Sequence, residues 1–350
     1  MSHLEANGHL RKRISILVAV ALLLGSAYLA ILGLSAPFSP SGWSEILALA
    51  LLSIAFLMRK GRPRRFLAFA ALGVFLIIFL IRLIAAGSGS MRLSTLPGGA
   101  TSRWLSRLID EQDVSLLGAR ALIHLWHLKG AERDGLVRAM HDAYVEMHQE
   151  QAVVASPVLD TLLERQSAAA FDAVIIEPKE APRAGLIFLH GYAGNFTLEC
   201  WLVAKAAQSI GAVTVCPSVG FSGHWLNHDG EETLRDTIEY LHARGIQKLF
   251  LAGLSNGGLG ASGLAPRFAK ELSGLIVISG SPSTGDGGGL PILIVQGEHD
   301  PNASAVTARG FAARTHATYQ GYEGGHFVLM MRRLEVRKAI ARWLLHEAKP

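Results

Sequence analysis

Residues 251–260 read LAGLSNGGLG, an apolar run that breaks on Gly253, Leu254, Ser255, Asn256 and Gly257 with the spacing GxSxG. A serine hydroxyl becomes a useful nucleophile when the backbone lifts it outward from a sharp strand-to-helix turn. Glycines two positions to either side leave room for such a turn. The flanks agree: IQKLFLA before it reads as a buried strand, and NGGLGASGLA after it is small enough for a helix packed closely on its neighbours. A helix beginning at Asn256 also favours negative charge beside Ser255. The five residues alone fit a glycine-rich turn with an incidental serine equally well, so their meaning depends on what surrounds them.

From Phe171 onward, short apolar runs alternate with helical patterns, the signature of a mainly parallel sheet with helices on both faces. Strands are expected at 171–177, 185–189, 212–216, 248–252, 274–279, 292–296 and 317–322, and helices at 197–209, 231–244, 256–264, 303–314 and 331–347. Reactive groups in such sheets gather beyond the carboxyl ends of the strands. The run ILIVQ ends in Gly297, Glu298, His299 and Asp300, and ATYQGY ends in Glu323, Gly324, Gly325 and His326. Asp300 and His326 are therefore the expected partners of Ser255, in the chain order Ser, Asp, His. Glu298 is the competing carboxylate, and His299 reads as structural. At the end of GLIFL, the turn His190-Gly191-Tyr192 presents the Tyr192 N–H toward a developing oxyanion, with the Asn256 N–H as second donor.

Through LHGYAGN, GLSNGG, GEHD and GGH, residues 171–348 resemble the α/β-hydrolase superfamily, in particular its compact carboxylesterase and lysophospholipase-like members. The resemblance implies Ser255 as nucleophile, His326 as general base and then acid, and Asp300 as the group that orients and charge-stabilises His326. It implies ester cleavage through an acyl-enzyme, with no metal or organic cofactor and a small-molecule or lipid ester as substrate. A peptidase, an acyltransferase or a silent receptor could keep the same fold. Family members carry lids after the strand that follows the nucleophile helix, but here only SPSTGDGGGLP, residues 281–291, lies in that place. An open site is expected unless the helices of 103–165 cover it, with Tyr192, Phe221, Trp225 and Trp201 as candidate walls for an acyl group.

The preceding half differs in kind. Half of the 350 residues are hydrophobic, and the apolar excess lies at the N-terminus. Residues 14–34 contain no charge, 43–58 form a marginal second span and 66–86 a third, giving a membrane anchor over 1–90. Arg82 is expected to snorkel from near its helix end, and Glu45 must sit at an interface. The connection RKGRPRR, residues 59–65, is Lys or Arg at five of seven positions, whereas SAPFSPSG before the second span has none. That asymmetry, with Arg11 to Arg13, keeps both basic segments in the cytoplasm and directs the C-terminal domain to the outside. Residues 87–102 read as a linker, 103–165 as amphipathic helices with Trp104 and Leu105 on an apolar face, and 166–350 as the catalytic domain.

Of 33 bases and 28 acids, residues 91–350 hold 24 and 26, so the basic balance belongs to the membrane end and no nucleic-acid surface is expected. His124 with His127, or His141 with His148, share helical faces, but no acid or cysteine completes a metal set. Cys200 and Cys216 are too few for a disulfide scaffold. They lie near one sheet edge, where a single bond in an oxidising compartment is open to them.

Overall fold

The computed structural model describes residues 3–84, 89–98, 100–101, 104–125, 128, 130–151 and 155–349. Ala85, Ala86, residues 87, 88, 99 and 102 of the expected linker, Arg103 and His127 lie outside them, and Arg11 to Arg13, Trp104 and Leu105 are described in backbone only. The chain divides into two units, Met1–Ala85 with Arg107–Leu128, and Ala86–Ser106 with Lys129–Pro350.

The first unit is built on α1 (His3–Leu34), α2 (Pro40–Leu57) and α3 (Arg62–Ile84), each long and apolar enough to cross a bilayer. Ser39 and Pro40 start α2 three residues before the expected Trp43. The Ser39 hydroxyl accepts from Gly42 N at 3.0 Å, while proline suits the first helical turn, giving the marginal span 18 residues. Arg82 does not snorkel alone: it is 9 % exposed, its Nη1 donates to Glu45 Oε1 at 2.6 Å, and it also donates to the Leu108 carbonyl. The first turns of α2 and the last of α3 are thereby tied at one end of the helix group. At α4 (Glu111–His124), Asp110 caps by accepting from Gln112 N. Asp113 accepts from both Ser39 N and Ser39 Oγ, and burial raises its carboxyl to about 6 against those bonds.

The second unit contains one nine-stranded sheet. In chain order its strands are β1 (Met91–Leu96), β2 (Ala100–Thr101), β3 (Phe171–Ile176), β4 (Ala184–Leu189), β5 (Ala212–Pro217), β6 (Leu249–Leu254), β7 (Leu272–Ile278), β8 (Ile292–Gly297) and β9 (Thr318–Tyr322), and their spatial order is β2-β1-β3-β5-β4-β6-β7-β8-β9. Strands from β5 to β9 are parallel, and β3, β1 and β2 continue antiparallel. Leu249, Leu251, Val277 and Ile294 enter one core with residues of α8 (His228–Ala243), α9 (Asn256–Leu264) and α10 (Ala305–Thr315). Alternate residues face the other way, as where Phe250 meets Trp343 of α12 (Arg333–Glu347) edge to face. Layers therefore cover both faces, and the strand order with its GLSNG turn after β6 is that of the α/β-hydrolase fold.

Met91–Leu96 is not linker but a strand, paired from Met91↔Ile176 to Leu96↔Phe171, with Met91 and Leu96 buried. Glycine and serine on both flanks, and only three large apolar residues within it, hide it in the sequence. The sheet thus begins well before residue 166. The helices α5 (Gly130–Gln151) and α6 (Val158–Leu162) belong to this unit, inside the connection between β1 and β3.

Candidate active site

Ser255 stands at φ 54°, ψ −120°, between β6 and α9. For a residue other than glycine this is strained backbone, costing on the order of 1–3 kcal/mol, and it persists only where the surroundings enforce it. They do so closely. Ser255 N–H donates to Ile278 O at 2.9 Å. A Cβ on Gly253 would collide with the Gly257 carbonyl, one on Gly257 with the Leu189 carbonyl, and one on Gly280 with the carbonyl of Ser255 itself. The turn is consequently clamped between β4 and β7.

The loop after β8 brings Asp300, and the loop after β9 brings His326. His326 Nδ1 lies 2.9 Å from Asp300 Oδ2, and His326 Nε2 lies 3.0 Å from Ser255 Oγ. Burial alone would raise the Asp300 carboxyl, but His326 and the N–H groups of Ala303 and Asn302 hold it below its ordinary value. An ionised carboxylate can only accept, so Nδ1–H is the donor to Asp300, and Nε2 is free to accept from the serine hydroxyl. Such a chain can move a proton off Ser255 without rearranging. The competing Glu298 is engaged elsewhere, with Arg309 and with the Tyr319 hydroxyl at 3.0 Å. His299 pairs with Glu323 at 3.1 Å and is exposed.

The loop after β4 lies directly against Ser255, since a Cβ on Gly191 would be 3.1 Å from Ser255 Cβ. His190, fully buried, holds this loop: Nδ1–H donates to Gly191 O at 2.8 Å, and Nε2 accepts from Val219 N at 3.1 Å. Burial pushes its pKa down to about 4, so the ring is neutral. Tyr192 follows, and Asn256 opens α9, where first-turn N–H groups have no helical partner. The Asn256 side chain is held by donation to Ser222 O at 2.7 Å.

The candidate walls separate into two pairs. Tyr192, on the loop beside Gly191, is 64 % exposed and meets Phe221 edge to face at 4.7 Å. Trp225 and Trp201 are each 1 % exposed. Trp225 lies in the core beneath α9 with its indole N–H on His190 O, and Trp201 of α7 (Thr197–Ala207) donates to Glu150. Trp225 packs closely on α9, where a Cβ on Gly260 would collide with it. Among the described residues no group of three His, Cys, Asp or Glu converges as a metal site, and Cys200 is bonded to Cys216.

Two acids near the site have no signal in the sequence. Glu132 of α5 accepts from Phe327 N at 2.6 Å, and Glu164, just after α6, accepts from Phe221 N at 3.0 Å. Each partner is set by tertiary placement alone.

No family model matches the chain, and no curated protein does. Solved structures of similar shape include Est1E from Butyrivibrio proteoclasticus, at 16 % identity and a TM-score of 0.44 over 51 % of this chain and 94 % of that one. The Pyrococcus furiosus esterase Pf2001 matches at 13 % and 0.44 over 51 % and 87 %. A CIB-like hydrolase from Thermoplasma acidophilum matches at 18 % and 0.43 over 51 % and 93 %. The assignment of the fold rests on the chain's own strand order.

Proposed function

We propose that this α/β-hydrolase chain is a membrane-anchored serine hydrolase that cleaves carboxylic esters through an acyl-enzyme. The observation that carries the reading is the unbroken series Asp300 Oδ2, His326, Ser255 Oγ, with both contacts at hydrogen-bond distance and the serine on an enforced turn. Ser255 Oγ attacks the ester carbonyl while His326 Nε2 takes its proton. The Tyr192 and Asn256 N–H groups face the resulting oxyanion. Nε2 then protonates the departing alcohol, and a water deprotonated by the same nitrogen releases the acid and restores Ser255. Asp300 keeps the ring in the required tautomer and offsets the imidazolium charge.

The segment 281–291 carries only a three-residue turn at Gly287–Gly289, and Ser255 is half-buried, which supports an open site for short and medium acyl esters. Hydrolysis should therefore proceed on monomeric esters, without a jump at the critical micelle concentration. The basic 59–65 connection and the Cys200–Cys216 bond both support a catalytic domain outside the cytoplasm. Purified full-length protein in detergent, given p-nitrophenyl esters of increasing chain length and a peptide panel, tests the reading. Ester turnover in the wild type that disappears in Ser255→Ala is expected, with His326→Ala and Asp300→Asn each losing several orders of magnitude in kcat while remaining folded. Cleavage of peptides alone would move the assignment to a peptidase.

A further inference from the structure

The helices of 130–165 have no role in the reading above, yet one of their side chains reaches the catalytic loop. Glu132 lies in the first turn of α5 and is 5 % exposed. Its Oε1 accepts from the Phe327 N–H at 2.6 Å, and a Cβ on Gly325 would run into the same carboxylate. The carboxylate therefore lies along the backbone on both sides of His326. Burial raises it above the ordinary value. The Phe327 N–H and His326 oppose that rise and Asp300 adds to it, so it sits within the field of both site residues.

The loop it holds needs holding. Gly324, at φ 141°, and Gly325 precede His326, and neither has a side chain to restrict its backbone. Upstream the loop is fixed by donation from His299 N to Gly324 O at 2.9 Å, and by the approach of the Gly325 carbonyl to Gly297. Downstream, the Phe327 N–H is fixed by a residue 195 positions away in sequence. We infer that Glu132 is a positioning residue for the hydrolysis proposed above: from the segment inserted between the first and third strands, its carboxylate fixes the backbone at His326. The imidazole is thereby held within reach of Ser255 and Asp300 together. A shift of about 1 Å in such a group is enough to cost on the order of a hundredfold in rate.

The test uses the full chain in detergent, with p-nitrophenyl butyrate turnover, fluorophosphonate labelling and amide hydrogen exchange of the peptide covering residues 324–328. Glu132→Ala is expected to lower kcat by about 10- to 100-fold with KM nearly unchanged, and to speed exchange at Phe327 by roughly tenfold or more. Glu132→Gln keeps an acceptor for the Phe327 N–H and should restore both readouts to within a few-fold of wild type. Unchanged kcat or unchanged exchange in Glu132→Ala overturns the inference, as does a Gln variant impaired as badly as Ala. If Glu132→Ala does not fold, Glu132→Asp, which withdraws the acceptor by one methylene, decides: lower kcat with faster exchange at Phe327 supports the role, and both unchanged overturn it. A wild type that neither labels nor turns over ester sinks the hydrolase reading instead, while the exchange comparison still decides whether Glu132 holds the loop.

Discussion

Gly257 and Gly310 both lie in helices, and they predict opposite outcomes. An alanine at 310 would meet only Arg314 Nη1 at 3.6 Å within α10, so Gly310→Ala should stabilise by about 0.5–1 kcal/mol. At Gly257 the new Cβ would enter the Leu189 backbone, which cannot give way, so Gly257→Ala should lower the melting temperature and abolish labelling of Ser255. A Gly257→Ala protein with wild-type melting and labelling would show that the turn is not enforced as described. His190 makes a pH prediction. Its folded pKa of about 4 lies below the ordinary 6.5, so its contribution is fully present above pH 6.5 and is lost as pH falls toward 4. The loss is up to about 3 kcal/mol, and thermal melts from pH 7.5 to 4.5 should flatten in His190→Gln. Ser255, Asp300 and His326 were legible because each ends an apolar run in a glycine-rich turn. His190 and Glu132 act through backbone groups that only the fold brings near, and no local pattern marks them.

At the scale of elements, the parallel strands were readable because burial on both faces makes them continuous apolar runs. β1, an edge-side strand with Ser94 and Thr95 in it, carries no such run, and its pairing with β3 had to come from the structure. The bond between Cys200 on α7 and Cys216 on β5 closes a short loop, so it should stabilise by about 3 kcal/mol in the chain-entropy view. Thiol titration of unfolded protein should find none before reduction and two after; equal counts would exclude the bond. Glu164 ties the segment after α6 to the loop that carries Phe221 and Ser222, and Ser222 O holds the Asn256 side chain. Glu164→Ala should therefore raise KM for longer acyl esters more than it lowers kcat, whereas equal effects on all chain lengths would count against a role for that loop at the site.

Across the whole molecule, charge along the chain carries the prediction of sidedness. Glu45 and Arg82 lie at the edges of the apolar stretches of α2 and α3, and each offsets the charge of the other there. Arg82→Leu should destabilise the first unit more than the double variant Arg82→Leu/Glu45→Gln, because the single change leaves an uncompensated carboxylate. The three candidate spans were legible from composition, but the pairing of Glu45 with Arg82 was not, since the two residues lie 37 positions apart. The proposed topology keeps the basic residues of 59–65 inside, so that three crossings would put the C-terminus outside. Alkaline phosphatase fused after Pro350 should be active, and a fluorescent, phosphatase-negative green fluorescent protein fusion would reverse that topology. The proposed hydrolysis, however, depends on one oxygen atom, Ser255 Oγ. Mass spectrometry of the full-length protein after fluorophosphonate treatment should find a single adduct on the peptide containing Ser255, absent in Ser255→Ala and slow to form in His326→Ala. An adduct elsewhere, or ester hydrolysis by Ser255→Ala near the wild-type rate, would contradict the assignment.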